Sequence, residues 1–296
     1  YTASFFAASK SKCDVFHFHF FDFGFLNLIT LIIASFFNQK KIVTLHDVDS
    51  FHKKSFFLVE KLISRFIDTI IVHNQSSYND LVNKNLKFKS IEIIPHGNYL
   101  PFINVLPEPK IERVINLLFF GQIKEVKGLD VLLKAMKIVV KKNQNFRLII
   151  AGKPWKTDIE FYEKTIQNYQ LEGYVEKYFR FIEESEVESF YNKSSVVILP
   201  YKRIYQSGVL LLTMSYGRGV ITSDLKAFKE LVTHNENGFI FESENENSLA
   251  KCILNLNKKN ILRTLRNSNK RVSHDHDWSL IGKQTLKLYE KALNIT

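Results

Sequence analysis

Two short stretches of this chain combine glycine, hydroxyl and lysine in a way suited to holding an anion. In Gly121-Gln122-Ile123-Lys124-Glu125-Val126-Lys127-Gly128, two lysines stand between two glycines, directly after an apolar run. A lysine beside a glycine turn at a helix start is a point charge suited to a diphosphate; a solvated loop is the plainer alternative. In Ser207-Gly208-Val209, a hydroxyl able to cap a helix precedes a residue without Cβ, so that a phosphate can approach the backbone closely. A helix start there presents free N–H groups and positive dipole. Together the two stretches would make a two-sided anion site. A further set is His19, His46, His73 and His96, each near the end of an apolar run. One such histidine reads as a loop or cap residue; four arriving at one edge point to a ligand that one or two of them touch.

The elements that must position these residues alternate. Asp14 to Phe20, Lys41 to Leu45, Ile67 to Val72 and Ser90 to Ile94 read as strands. Between them, Phe25 to Phe37, Lys53 to Phe66 and Ser76 to Asn83 read as helices, the second basic and amphipathic. This alternation predicts a parallel sheet covered by helices, with the ligand crevice outside the carboxyl ends of its strands. Pro101 to Glu112, holding Pro101, Pro107 and Pro109, reads as a linker. Beyond it the pattern restarts: strands Val114 to Gly121, Phe146 to Ala151, Tyr178 to Ile182, Val196 to Leu199, Val220 to Thr222 and Phe239 to Phe241. The helices expected among them are Leu129 to Lys142, Asp158 to Gln170, Glu186 to Asn192, Val209 to Tyr216 and Ser248 to Asn257, with a long helical tail to Thr296. The reading is therefore α/β, two Rossmann-like domains with the ligand in a central cleft. The boundaries it sets are residues 1–105, 106–275 and a C-terminal helix over 276–296 able to cross back to the first domain.

A length of 296 residues suits two domains, and 45% hydrophobic with 24% charged residues suits sizeable cores. The 26 Phe carry no assigned function. A net charge of +11 favours an anionic partner: nucleic acid, nucleotide or anionic membrane surface. The basic residues are scattered and no reader motif is visible, so nucleic acid is not the expected partner. Cys13 and Cys252 have neither zinc nor disulfide spacing and fit a reducing compartment. The longest apolar run, Phe25 to Phe37, is shorter than the roughly 20 residues that span a bilayer. The basic helix Lys53 to Phe66 reads equally as a membrane-surface helix or as a core helix with solvated lysines.

The segments FFGQIKEVKGLDVLLKA, IIAGKPW, FIEESEVESFYNKSSVVILPYKRIYQSGVLLLTMSYGRGVITSDLKAFKELV and NENGFIF resemble, in order and spacing, the C-terminal half of family 4 glycosyltransferases of GT-B fold. DVFHFHF, VTLHDV and IIPHGN fit the N-terminal half more loosely. The resemblance implies transfer of a sugar from a nucleotide-sugar with retention of anomeric configuration and no obligatory metal or other cofactor. It places Lys127, Gly208 and Val209 on the donor diphosphate, with Lys124 and Ser207 beside them. It puts His46 near the transferred sugar as the catalytic-side residue, and His19, Asn98 and Tyr205 on the sugar or acceptor side. Three departures stand out. The family's arginine after the first glycine is here Gln122, with Lys124 able to supply that charge. Its paired glutamates are here Tyr205 and Thr213, and Thr213 cannot take the ribose hydroxyls bidentately. Its N-terminal half starts with a strand and a Gly-rich loop, whereas 13 residues precede Asp14 here. The expectation is a fragment or truncation whose N-terminal sheet lacks a strand, unless Tyr1 to Ser11 supplies it.

The implied partners are a nucleotide-sugar and a glycan or lipid-linked acceptor, in bacterial surface polysaccharide synthesis at the cytoplasmic face of a membrane. The rival from another class is a catalytically silent GT-B-like binding or scaffold subunit, which the missing glutamates permit.

Overall fold

The structure is a computed structural model that describes residues 7–8, 11–48, 57–104 and 106–294. The chain divides into two compact units, Tyr1–Gly97 together with Trp278–Thr296, and Asn98–Asp277. The N-terminal unit holds a parallel sheet in the order β1 (Val15–Phe20), β2 (Lys40–Leu45), β3 (Thr69–Val72), β4 (Ser90–Ile93). Helices α1 (Phe25–Ser35), α2 (Phe57–Phe66) and α3 (Gln75–Asn83) connect them. Strands covered on both faces read as unbroken apolar runs, and Thr69-Ile70-Ile71-Val72 is buried at all positions. α3 starts where the Asn74 side chain accepts the Ser77 N–H at 2.7 Å. Residues 53–56 of the expected basic helix, and most of Tyr1 to Ser11, lie outside the described residues.

The C-terminal unit holds six parallel strands: β5 (Ile115–Phe120), β6 (Phe146–Ala151), β7 (Val175–Tyr178), β8 (Val196–Leu199), β9 (Gly219–Ser223) and β10 (Phe239–Phe241). Their spatial order is β10-β9-β8-β5-β6-β7. The chain thus winds outward one way from β5 through β6 and β7, then returns to β5's other side to place β8. That reversal is a topological switch point, and it separates the loops after β5 and β8. The helices are α4 (Leu129–Lys142), α5 (Ile159–Asn168), α6 (Glu184–Lys193), α7 (Gly208–Ser215), α8 (Lys226–Lys229), α9 (Glu246–Leu254) and α10 (Lys258–Asp275). Two elements differ from expectation. The strand placed at Tyr178 to Ile182 is instead Val175–Tyr178, because Leu148 to Ala151 of β6 pair with those residues in register. The helical tail breaks at His276-Asp277 into α10 and α11 (Trp278–Leu293). Among the described residues, no helix is long and apolar enough to cross a membrane.

α11 belongs to the N-terminal unit. Its Ile281 and Leu288 pack with Ile42, Ile71 and Ile94. Its Tyr289 hydroxyl lies 2.6 Å from His17 Nδ1, and Lys291 reaches Glu92 at 2.7 Å. Gly97 allows the chain to pass Trp278, since a Cβ there would stand 2.3 Å from that indole. Truncating Leu288, which is 7% exposed, removes packing that solvent cannot replace. Leu288→Ala should therefore destabilise this unit by about 2–4 kcal/mol, read as a lower urea midpoint; an unchanged midpoint would mean that α11 contributes no stability.

Candidate functional site

The switch-point loops are held together by backbone approaches that only glycine permits. Gly121 follows β5 with φ +106°, and Gly128 has φ +69°. A Cβ on Gly128 would lie 1.8 Å from the Pro200 carbonyl oxygen, just past β8. Lys202 N–H donates to the Val126 carbonyl at 2.9 Å, and its ammonium pairs with Asp130 at 2.9 Å. A Cβ on Gly121 would meet the Val209 side chain at 3.3 Å, so the first turn of α7 borders the same loop. Ser207 caps α7, its hydroxyl oxygen accepting the Leu210 N–H at 3.1 Å.

Lys124, Lys127, Ser207, Gly208 and Val209 thus sit on adjoining loops. Lys124 is partly buried and opens the short turn Glu125–Lys127. Lys127 Nζ lies 3.7 Å from the centroid of the Tyr201 ring. Tyr201 itself is 1% exposed. Burial pushes its hydroxyl pKa well up, with neighbouring Ser207 acting the other way. The Tyr99 hydroxyl oxygen stands 2.9 Å from where a Gly208 Cβ would be. From Tyr99 a cavity of about 690 Å³ opens along α7, lined also by Phe102, Glu184, Glu188, Leu212 and Tyr216. Glu188 accepts the Asn104 amide at 2.9 Å.

Three expected residues are placed otherwise. Thr213 is fully buried, its hydroxyl donating to the Val209 carbonyl at 2.7 Å and meeting the Tyr191 hydroxyl at 3.4 Å. It presents no atom for a donor. Asn98 is also buried; its amide donates to the Val272 carbonyl at 3.2 Å and its oxygen accepts Leu100 N–H. It anchors chain to α10 rather than facing an acceptor. Tyr205 is largely buried, its hydroxyl accepting from Arg203 at 3.3 Å. Tyr201, Tyr99 and the two cavity glutamates were not singled out from the sequence. Only Tyr201 carried a signal, its place directly after the Pro200 that stops β8.

In the N-terminal unit the strand-end histidines form a row. Ring centroids are 4.9 Å apart for His17 and His19, 5.6 Å for His19 and His46, 5.1 Å for His46 and His73, and 5.6 Å for His73 and His96. Phe21 stacks on His46 at 5.2 Å, and Trp278 meets His96 at 6.3 Å. Two tautomers are settled by carbonyl acceptors: His73 Nδ1 donates to Ile94 at 2.9 Å and His96 Nδ1 to Gly97 at 2.7 Å. Burial, and then repulsion from neighbouring imidazoles, lowers His17 and His46 to about 4. Burial takes His73 to about 3, and it lowers His19 with help from His96. Among the described residues, no group of three His, Cys, Asp or Glu could hold a metal ion.

These shifts fix a sign. An imidazole in the unfolded chain takes a proton at about pH 6.5. The folded unit holds His17, His46 and His73 neutral down to about 4 or 3. The unfolded state therefore binds more protons below about pH 6.5, and the unit loses stability as pH falls from there towards 4. Thermal unfolding followed between pH 7.5 and about 4.5 should show a falling midpoint; a flat one would overturn the burial of these rings. Gly128→Ala should cost more than roughly 2 kcal/mol, since a strained φ and a backbone clash coincide. Equal stability of that variant would contradict the close approach.

Residues 115–259 match the family model described as Glycosyl transferases group 1. The chain is 25% identical over 283 residues to the capsular polysaccharide biosynthesis glycosyltransferase CapM of Staphylococcus aureus, covering 88% of this chain and 73% of that protein. Among solved structures, sucrose-phosphate synthase from Thermosynechococcus elongatus superposes with TM-score 0.82 at 20% identity, over 100% of this chain and 78% of that one. Anabaena HepE in complex with UDP and glucose does so with TM-score 0.75 at 19% identity, over 88% and 74%. The chain spans from about half to about three quarters of the length of the curated relatives it matches. The fold is α/β with two parallel sheets like those of GT-B glycosyltransferases, and over residues 115–259 the chain is similar to group 1 glycosyltransferases.

Proposed function

We propose that this chain transfers a sugar from a nucleotide-sugar to a glycan or lipid-linked acceptor during assembly of a bacterial surface polysaccharide, with retention at the anomeric carbon. The observation that carries the reading is the switch point of the C-terminal unit, where Lys127 and the capped start of α7 adjoin. Ligands of parallel sheets collect at such points, and a cation with a helix start selects a phosphate. The name of the S. aureus relative and the UDP and glucose held by HepE support it.

The nucleoside half of the donor is assigned to the cavity beside α7. Gly208, Leu212 and Tyr216 follow one face of the helix over about 12 Å at 1.5 Å per residue, a span comparable to a nucleoside. Tyr99, Phe102 and Tyr216 supply aromatic walls, and Glu184 and Glu188 supply acceptors. In the transfer step, charge developing on the departing diphosphate is stabilised by Lys127 and the α7 amides. The acceptor hydroxyl attacks on the face the diphosphate leaves, and that diphosphate takes its proton. This assigns charge neutralisation to side chain and backbone, with no metal required. His46, held neutral by burial, hydrogen-bonds the transferred sugar without adding charge. The reading places the protein in the cytoplasm, peripheral to the membrane's inner face; exposed Leu58 and Leu62 beside exposed Lys61 and Arg65 on α2 give that helix an interfacial side.

One observation favours a second reading, a silent binding subunit: Tyr205 and Thr213 are largely or fully buried and neither is a carboxylate. Incubation with a panel of nucleotide-sugars, watching for nucleotide release, separates the two. Release with any member supports transfer, and tight donor binding without release supports the silent subunit. Lys127→Ala should weaken nucleoside diphosphate binding by roughly 1.5–3 kcal/mol, about 10- to 150-fold; unchanged affinity would sink the diphosphate assignment. His46→Ala should lower kcat and leave donor affinity within about twofold, as for a group acting only in the transition state. Normal specific activity in a variant that merely unfolds more easily would make His46 structural.

A further inference from the structure

Resting on the diphosphate reading above, we infer that Tyr201 is a positioning residue that couples Lys127 to the start of α7, so that the two halves of the anion cradle act as one. Tyr201 lies between them, its ring towards Lys127 and its hydroxyl towards Ser207. Its ring face receives the Lys127 ammonium at 3.7 Å. Its hydroxyl neighbours Ser207, whose oxygen accepts the Leu210 N–H at 3.1 Å.

Tyr201 is itself immobilised. Its carbonyl accepts the Ser223 hydroxyl at 2.6 Å and the Ser243 hydroxyl at 3.4 Å. Phe228 packs on its ring at 5.4 Å. On the Lys127 side, the next residue, Lys202, is tied to Val126 and Asp130 at 2.9 Å each. A buried ring pinned in this way has one orientation, and it gives the flexible four-carbon lysine stem a fixed seat. The side-chain entropy that Lys127 would otherwise lose on meeting a phosphate is already lost in the folded protein. A small residue after Pro200 would leave Lys127 and Ser207 in place but independent.

Coupling of this kind is read by double-mutant cycles. Affinities for UDP, GDP and inorganic pyrophosphate are measured by calorimetry on the full chain, with thermal melting as the check on folding. Lys127→Ala and Tyr201→Leu test the ring; Ser207→Ala and Tyr201→Phe test the hydroxyl. The single Tyr201→Leu change should weaken pyrophosphate by about 3- to 30-fold, the range for a partly desolvated cation–π contact. Lys127→Ala combined with Tyr201→Leu should then be no weaker than Lys127→Ala alone. Ser207→Ala with Tyr201→Phe should likewise be less than additive. Tyr201→Phe keeps the buried ring, so the second cycle stands even where Tyr201→Leu fails to fold. If Lys127→Ala weakens binding but both cycles are additive, Tyr201 is a packing residue and the inference falls while the diphosphate reading survives. If Lys127→Ala leaves all three affinities unchanged, the diphosphate reading falls and the coupling with it.

Discussion

The C-terminal unit depends on one close approach, that of Gly128 to the Pro200 carbonyl, where a Cβ would stand 1.8 Å from the oxygen. It joins the loop after β5 to the end of β8, the two strands that border the switch point of the sheet. Everything useful at that edge follows from the spacing this sets. Lys127 comes over Tyr201, Lys202 reaches Val126 and Asp130, and α7 starts beside Gly121. A left-handed φ at Gly128 also lets the chain turn from a short 3₁₀ segment directly into α4. The constraint is steric, so no adjustment of charge or hydrogen bonding nearby could substitute for it.

In the N-terminal unit a different constraint governs. Parallel strands lie about 4.8 Å apart, so side chains at corresponding strand ends must stack at nearly that pitch. The strand-end imidazoles do, at 5.1 to 5.6 Å. Charged rings at that separation would repel, and partial burial already disfavours the ionic form. Both effects act in the same direction, with burial the larger, and they keep His17, His46 and His73 neutral. A neutral imidazole offers one donor and one acceptor, which suits hydroxyl-rich ligands better than anionic ones.

Much of this was legible in the sequence, because it is written in local patterns. Apolar runs alternating with helical segments predicted both sheets, and Leu129 to Lys142 and Phe146 to Ala151 appear with the expected bounds. The glycine-lysine turn and the Ser207 cap were readable because caps and turns depend on neighbours in the chain. What could not be read was whatever depends on burial or on distant partners. Asn98 was expected on the sugar or acceptor side, yet it is buried against the Val272 carbonyl. Thr213 stood at a position the resemblance gave to the donor, and its hydroxyl is turned to Tyr191. The β7 register was missed because an edge strand of mixed polarity, Val175-Glu176-Lys177-Tyr178, is chosen by pairing with β6 rather than by its own pattern.

The two ends of α7 bear on the proposed anion site in different ways. The carbonyls at the helix's C-terminal end, Tyr216 and Gly217, each accept from Arg218 at 3.2 Å. That guanidinium is fully buried and also bonds the Tyr191 and Pro107 carbonyls at 2.8 and 3.0 Å. Burial lowers its pKa to about 10, which still leaves it charged at neutral pH. A cation therefore compensates the negative end of the α7 dipole. At the positive end, Ser207 satisfies the Leu210 N–H, and the remaining first-turn amides lie by the Gly121–Gly128 loop that carries Lys127. With cations at both ends of one helix, the electrostatic balance is completed by negative charge brought to its N-terminus. That is the charge the diphosphate of the proposed donor would bring.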